Sequence, residues 1–217
     1  LSEAARHVGG MLQGEDKQFS GVSTDSRSIK PGELFVALKG RNFDGADFLN
    51  EVSACSAAGV IVSKKIDCDL SMIIVDDEIE ALGLLAASWR NNLPATVVGI
   101  TGSNGKTTLK ELLSNCLSLS HTTFKTDGNF NNEIGVPLML LKMSKKHDFA
   151  VIEMGASHEG EISYLTSLVS PEIVTITNAA EAHLEGFGSI DAVARAKGEI
   201  LLGDIPPKVV ILNADDD

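Results

Sequence analysis

The run Thr101-Gly102-Ser103-Asn104-Gly105-Lys106-Thr107-Thr108 holds the residue types that grip a phosphate chain. Glycines let a backbone curl until its N–H groups face phosphate oxygens, and a following helix adds the partial positive charge of its N-terminus. In that reading Gly102, Ser103, Asn104, Gly105, Lys106, Thr107 and Thr108 cradle a nucleotide, with Lys106 reaching the β- and γ-phosphates and the Thr107 hydroxyl coordinating Mg2+. The strict G-x-x-x-x-G-K-[ST] spacing is not met, because Ile100 stands five residues before Gly105. What remains is a shorter G-x-x-G-K-T, and the alternative is a glycine-rich turn that merely joins strand to helix.

Mg2+ prefers oxygen ligands and is usually held by only one or two protein carboxylates together with phosphates and water. Glu153 follows the apolar Ala150-Val151-Ile152 and precedes Met154-Gly155, a strand-end position suited to that ligand; the alternative is a solvated carboxylate. Asn178 and His183 follow the apolar stretch at 173–177, and His158 follows Glu153, so these also fall where strands end. His7, His121 and His147 read as surface histidines. Lys197, in Ala194-Arg195-Ala196-Lys197-Gly198-Glu199, reads on its own as a solvated helical lysine.

The elements that must hold these residues follow from the apolar pattern. The turn-prone Asn91-Asn92-Leu93-Pro94 divides the chain into domains over 1–92 and 93–217. In the first, strands are expected at 21–25, 34–38, 60–63 and 71–75, with helices at 48–58, closed by Gly59 in the C′ position, and at 78–90. In the second, strands at 96–101, 122–126, 149–153, 173–177 and 209–212 alternate with helices at 106–119, 133–143, 159–169 and 190–202. Alternating βα units with β-branched runs imply a mainly parallel sheet covered on both faces, with chemistry at the carboxyl ends of its strands.

Composition agrees with a folded α/β protein and removes several functions. The 217 residues are 43% hydrophobic and 22% charged, ordinary for a globular protein. The formal net charge of −12 argues against nucleic-acid binding through a broad basic face. The longest apolar runs, such as 81–87, fall far short of the ~20 residues of a membrane crossing, so no membrane insertion is expected. Cys55, Cys68 and Cys116 form no C-x-x-C pair, and the N-terminus shows no signal peptide, so a cytoplasmic monomer with reduced thiols is expected.

Several stretches together carry a family resemblance. They are the T-G-x-N-G-K-T-T loop, Thr126-Asp127-Gly128-Asn129-Phe130-Asn131-Asn132-Glu133-Ile134-Gly135-Val136-Pro137-Leu138, Glu153-Met154-Gly155-Ala156-Ser157-His158, Ala182-His183-Leu184-Glu185-Gly186-Phe187-Gly188-Ser189 and Ala196-Lys197-Gly198-Glu199. The combination resembles the Mur ligases of bacterial peptidoglycan synthesis. Its G-N-x-N-N-x-I-G-x-P stretch is most similar to that of the member joining D-alanyl-D-alanine to UDP-N-acetylmuramoyl-tripeptide. Val22-Ser23-Thr24-Asp25-Ser26-Arg27 and Pro31-Gly32-Glu33-Leu34-Phe35-Val36-Ala37-Leu38 match the family's uridine-nucleotide-binding N-terminal domain.

The resemblance implies a small N-terminal α/β UDP-sugar-binding domain followed by a P-loop central domain. ATP would phosphorylate the terminal carboxylate of the UDP-muramoyl-tripeptide, and the amine of D-alanyl-D-alanine would displace phosphate from the acyl phosphate. Lys106, Thr107 and the neighbouring amides would hold ATP, and Thr107 with Glu153 would bind one Mg2+. His183 and Lys197 would serve a second Mg2+, Lys197 as a carbamate formed with CO2. Asn131 and Asn132 would face the nucleotide and the acceptor, while Ser26 and Arg27 would help hold the UDP-sugar. Ala46 stands where the family often has a histidine, which removes one contact to the uridine nucleotide. The family's C-terminal, dipeptide-binding domain is expected to be absent, since the sequence stops at Asp215-Asp216-Asp217, leaving an inactive fragment. The rivals are another Mur-type ligase, a nucleoside-triphosphate switch or motor, and a non-catalytic nucleotide or UDP-sugar-binding fragment.

Overall fold

The computed structural model describes residues 1–40, 42–181 and 187–216. The chain divides into two compact units, Leu1–Ser88 and Trp89–Asp217. Among the described residues, no helix is long and apolar enough to cross a membrane.

The first unit is a five-stranded sheet in the order β1-β5-β4-β3-β2, formed by β1 (Met11–Gln13), β2 (Val22–Ser23), β3 (Leu34–Val36), β4 (Gly59–Val62) and β5 (Met72–Ile74). Strands β2 to β5 pair in parallel, and β1 closes the β5 edge antiparallel. Every residue of β3 and β4 is buried, as expected of central strands with apolar side chains on both faces. Phe35, Val52, Val60 and Val62 form one apolar core with Leu49 on α2 (Leu49–Ala54).

Two elements were not legible: the short helix α1 (Ser2–His7) and β1. The expected helix at 48–58 is shorter, consisting of a 3-10 turn at Gly45–Phe48 followed by α2. Gly59 is not its C′ residue. The chain leaves α2 through Ser56, which adopts a left-handed φ of 59°, and Gly59 instead opens β4. A Cβ there would lie 2.7 Å from the Ser71 carbonyl oxygen, so close strand approach, not helix termination, requires the glycine.

The second unit carries five strands in the order β10-β9-β6-β8-β7, all parallel. They are β6 (Thr96–Thr101), β7 (Thr123–Lys125), β8 (Phe149–Glu153), β9 (Ile173–Ile176) and β10 (Val209–Leu212), connected through α4 (Lys106–Leu117), α5 (Gly135–Lys142), α6 (Glu161–Val169) and α7 (Ile190–Gly198). A 3-10 turn at Glu199–Leu201 extends α7. The register fixes where the strands stop: Ile100 pairs with Glu153, and Thr101 pairs with Ile176. The carboxyl ends of β8, β6 and β9 are therefore level, and the loops that leave them start side by side.

The division between the units falls inside α3 (Glu78–Asn91), just ahead of the turn at 91–94, because the last turn of this helix is bonded to the second unit. The Trp89 indole N–H donates to the Met143 carbonyl at 2.9 Å. The Arg90 guanidinium, 5% exposed, donates to the carbonyls of Val169, Leu93 and Ser170 and to both oxygens of Glu172.

Candidate active site

The glycine loop leaves β6 and ends at the first turn of α4. Gly102 has φ 141°, and a Cβ on it would fall 2.0 Å from the Thr177 hydroxyl oxygen, so only glycine lets the loop lie against β9. Gly105, with φ 79°, turns the chain into α4 as its left-handed N-cap. A helix leaves the N–H groups of its first turn without intrahelical acceptors, which makes this end a phosphate-sized set of donors. The loop's earlier amides are differently used. The Ser103 N–H donates to the Asn178 carbonyl at 3.0 Å, and the Asn104 N–H donates to Asn178 Oδ1 at 3.0 Å. The Ser103 hydroxyl and the Ala180 backbone bond reciprocally, at 2.9 and 3.0 Å. The donors left to face a ligand thus belong to the start of α4.

Lys106 folds back over this loop. Its ammonium donates to the Gly102 carbonyl at 2.7 Å and the Ser103 carbonyl at 3.1 Å. Burial lowers its pKa, against the opposing pull of the Glu153 charge. A cation so held stands at the mouth of the loop without competing with the amides behind it.

Glu153 is the last residue of β8 and is 2% exposed, so it is not a solvated strand-end carboxylate. One oxygen accepts from the Thr107 hydroxyl at 3.0 Å, and the other accepts from Asn131 Nδ2 at 2.9 Å. The Lys110 ammonium, fully buried, lies 3.7 Å from it. A hydroxyl and a carboxylate in contact form a hard-oxygen donor pair, which fits Mg2+ better than any softer metal. Among the described residues no three His, Cys, Asp or Glu side chains gather as a metal cluster.

Lys197, on α7, is 2% exposed and so is not the solvated helical lysine its sequence context suggests. Its ammonium donates to the Ala156 carbonyl at 3.3 Å and sits 5.2 Å from the centre of the Phe187 ring. Burial, reinforced by the Lys106 charge and partly offset by Glu161 and Glu199, pushes its pKa down to about 8. Lys197 therefore loses its proton far more readily than an ordinary lysine. His183 lies outside the described residues. His158 is exposed and bonds Glu161 at 3.1 Å.

Asn131 reaches the site through Glu153, whereas Asn132 accepts from the Gly135 N–H at 2.8 Å and caps the start of α5. Ser26 and Arg27 belong to the first unit. Arg27 donates to both oxygens of Asp25 at 2.8 Å, an exposed fork that holds the Asp25 carboxyl at about 2 and raises the guanidinium. Ala46 donates its N–H to the Asp44 side chain in the turn before α2.

Three contributors escaped the sequence reading. Lys110 is four residues past Lys106 and shares its helix face, a spacing visible in the sequence. Thr177 donates its hydroxyl to the Asn104 carbonyl at 2.6 Å, and Asp216 accepts from the Ala179 N–H at 2.8 Å. These last two depend on strand neighbours remote in the chain, which no local spacing reveals.

A glycine loop ending on a helix, with a buried carboxylate on the adjacent strand, is an arrangement suited to nucleotide phosphates at the carboxyl edge of a parallel sheet. Residues 100–217 match the Mur ligase middle domain, and residues 18–90 match the Mur ligase family, catalytic domain; the chain belongs to the Mur ligase family. It is 48% identical over 99% of its length to the UDP-N-acetylmuramoyl-tripeptide–D-alanyl-D-alanine ligase of Escherichia coli, and 39% identical over 100% to that of Bacillus subtilis. The structure superposes on crystal structure I of MurF from Acinetobacter baumannii with a TM-score of 0.95 and 40% identity, covering 100% of this chain and 49% of that one. For Thermotoga maritima MurF in complex with ADP the values are 0.83 and 35%, covering 92% and 46%. The chain spans about half the length of the curated relatives it matches, 48% for Escherichia coli and 50% for Bacillus subtilis.

Proposed function

We propose that this chain is the nucleotide-binding part of an ATP-dependent ligase joining D-alanyl-D-alanine to UDP-N-acetylmuramoyl-tripeptide, in cytoplasmic peptidoglycan precursor synthesis. The named relatives support the substrates. The observation that carries the chemistry is the contact between Thr107, in the first turn of α4, and buried Glu153 at the end of β8.

The Lys106 ammonium and the first-turn amides of α4 bind the phosphates of ATP, and Asn178 tethers the loop by accepting from the amides of Ser103 and Asn104. Thr107 and Glu153 hold one Mg2+, and Lys197 with His183 holds a second. When bound, these ions neutralise charge on the transferring phosphoryl group. Lys197 serves as a carbamate: its neutral amine attacks CO2, loses a proton, and turns from a cation into an anionic oxygen ligand. Burial and the lowered pKa support that role.

The terminal carboxylate of the UDP-muramoyl-tripeptide attacks the γ-phosphorus, and ADP leaves with the β–γ bond electrons. The amine of D-alanyl-D-alanine attacks the acyl phosphate, the tetrahedral adduct loses a proton, and its collapse expels phosphate. Lys106 holds the transferring group in line, and such positioning with charge stabilisation accounts for most phosphoryl-transfer catalysis. Asn131 steadies Glu153 beside the acceptor, Asn132 shapes the turn into α5, and Ser26 and Arg27 hold the UDP-sugar on the first unit.

The test is Lys106→Ala in the full-length protein, followed by ADP release with each substrate omitted in turn. Multiple-turnover release that requires both substrates in the wild type and vanishes in the variant is expected. Near-normal turnover in the variant would remove Lys106 from its role, and repeated turnover without the dipeptide, beyond the single ADP that acyl-phosphate formation yields, would favour a nucleotide switch.

A further inference from the structure

Lys110 is a lysine with no exposed surface on the inner face of α4, whose neighbours Leu109, Leu113 and Leu117 pack against the sheet core. Burying an ammonium costs several kcal/mol unless its charge and its donors are matched. Here they are matched. It donates to the Gly128 carbonyl at 3.2 Å and lies 3.4 Å from Glu111 and 3.7 Å from Glu153. An ammonium has three N–H donors, and three acceptors surround it.

These contacts form a row of alternating charge. Lys125 bonds Glu111 at the outer end, Glu111 meets Lys110, and Lys110 meets Glu153 at the inner end. The outer pair is about two-fifths exposed, at 37% and 43%, while the inner pair is buried. Lys110 also reaches the loop at 127–132, which carries Asn131 to the other oxygen of Glu153. The residue therefore touches both the carboxylate and the loop that steadies it.

We propose that Lys110 is a positioning residue for the magnesium–phosphate site: a built-in cation that fixes the Glu153 carboxylate against Thr107 and ties the Asn131 loop to the nucleotide helix. The proposal rests on the reading of Thr107 and Glu153 as a Mg2+ site. Without this charge the buried carboxylate keeps Asn131 and Thr107 as donors, with only the Lys106 charge acting on it from beyond ion-pair distance, and it leaves the orientation in which it meets a metal. A ligand group that is not held in place loses much of its value to a metal. Lys106, held by loop carbonyls instead, should keep binding phosphate.

The experiment measures the dissociation constant of a fluorescent ATP analogue on the full-length protein, with and without Mg2+. Wild type is compared with Lys110→Met and Lys110→Arg. The wild type should gain affinity from Mg2+. Lys110→Met should bind the metal-free analogue within about twofold of wild type and lose at least about tenfold of the Mg2+ gain. Lys110→Arg, which keeps the charge, should retain more of that gain than Lys110→Met. A residue that merely fills space would reverse this order, since methionine fits a buried lysine site better than arginine does. Should Lys110→Met not fold, Lys110→Gln, which keeps a donor for Gly128 but no charge, takes its place with the same expectation. An unchanged Mg2+ gain in the uncharged variant overturns the role of Lys110 while leaving the metal site standing. No Mg2+ gain in the wild type overturns the metal site and this inference together.

Discussion

The Thr107 hydroxyl donates to Glu153 across 3.0 Å, joining the first turn of α4 to the last residue of β8. The two members differ in what their loss leaves behind. Thr107→Val removes one donor from a carboxylate that keeps Asn131 and Lys110, so stability should change by about 1 kcal/mol. Glu153→Gln leaves the buried Lys110 without its inner partner, and a cost of about 3 kcal/mol is expected. Urea unfolding of both variants checks the order, and both should lose the affinity that Mg2+ adds to nucleotide binding. Equal stability costs would mean that Glu153 is not the partner Lys110 depends on.

The two loop glycines make a second contrast. Gly102→Ala drives a methyl group into the Thr177 hydroxyl at 2.0 Å, so the loop must leave β9, and nucleotide affinity should fall at least about a hundredfold, or about 3 kcal/mol. Gly105→Ala meets no atom within 4 Å and carries only the strain of a left-handed φ, about 1–2 kcal/mol. Titration of each variant with an ATP analogue separates them; a more damaging Gly105→Ala would contradict the packing described at Gly102.

Much of this site could be read from the amino acids alone, and the limits have physical causes. The β-branched run at 96–101 ahead of Gly102 marks a strand entering a loop, and Glu153 stands out because it ends the apolar 149–152. Those are local signals. Occupation of the Ser103 and Asn104 amides by Asn178 is not local, since it depends on β9 lying beside β6. Lys110 and Lys197 were obscure for another reason: lysines are seldom fully buried, and only tertiary packing shows that both are. Gly59 follows a helix-like pattern, yet its need is set by Ser71, the residue just ahead of the neighbouring strand β5.

Lys197 gives a pH dependence with a definite sign. Its folded pKa of about 8 lies below the ordinary 10.5, so below pH 8 both folded and unfolded chains carry the proton and the cost of burying it is present in full. Between about 8 and 10.5 the unfolded chain binds more protons, and stability rises with pH. Urea unfolding across that range, without CO2, should show wild type gaining on Lys197→Met as pH increases. A constant gap between the two would show that Lys197 titrates as an ordinary lysine.

Arg90 should be a major contributor to the stability of the second unit without touching its chemistry. Arg90→Met orphans the carbonyls of Val169 and Ser170 and leaves Glu172 without its ion pair, a loss of about 3 kcal/mol. Thermal unfolding should report that loss, while nucleotide affinity per folded molecule stays within about twofold. A selective drop in affinity would show that the clamp also shapes the phosphate loop.

The central claim is that the start of α4 grips a triphosphate and that Thr107 and Glu153 deliver Mg2+ to it. A crystal structure of the full-length protein with a non-hydrolysable ATP analogue and Mg2+ tests this directly. The account expects the β- and γ-phosphates on Lys106 and the first-turn amides, with a metal between the γ-phosphate, Thr107 and Glu153. An analogue bound elsewhere, with no metal beside Thr107 and Glu153, would contradict the account.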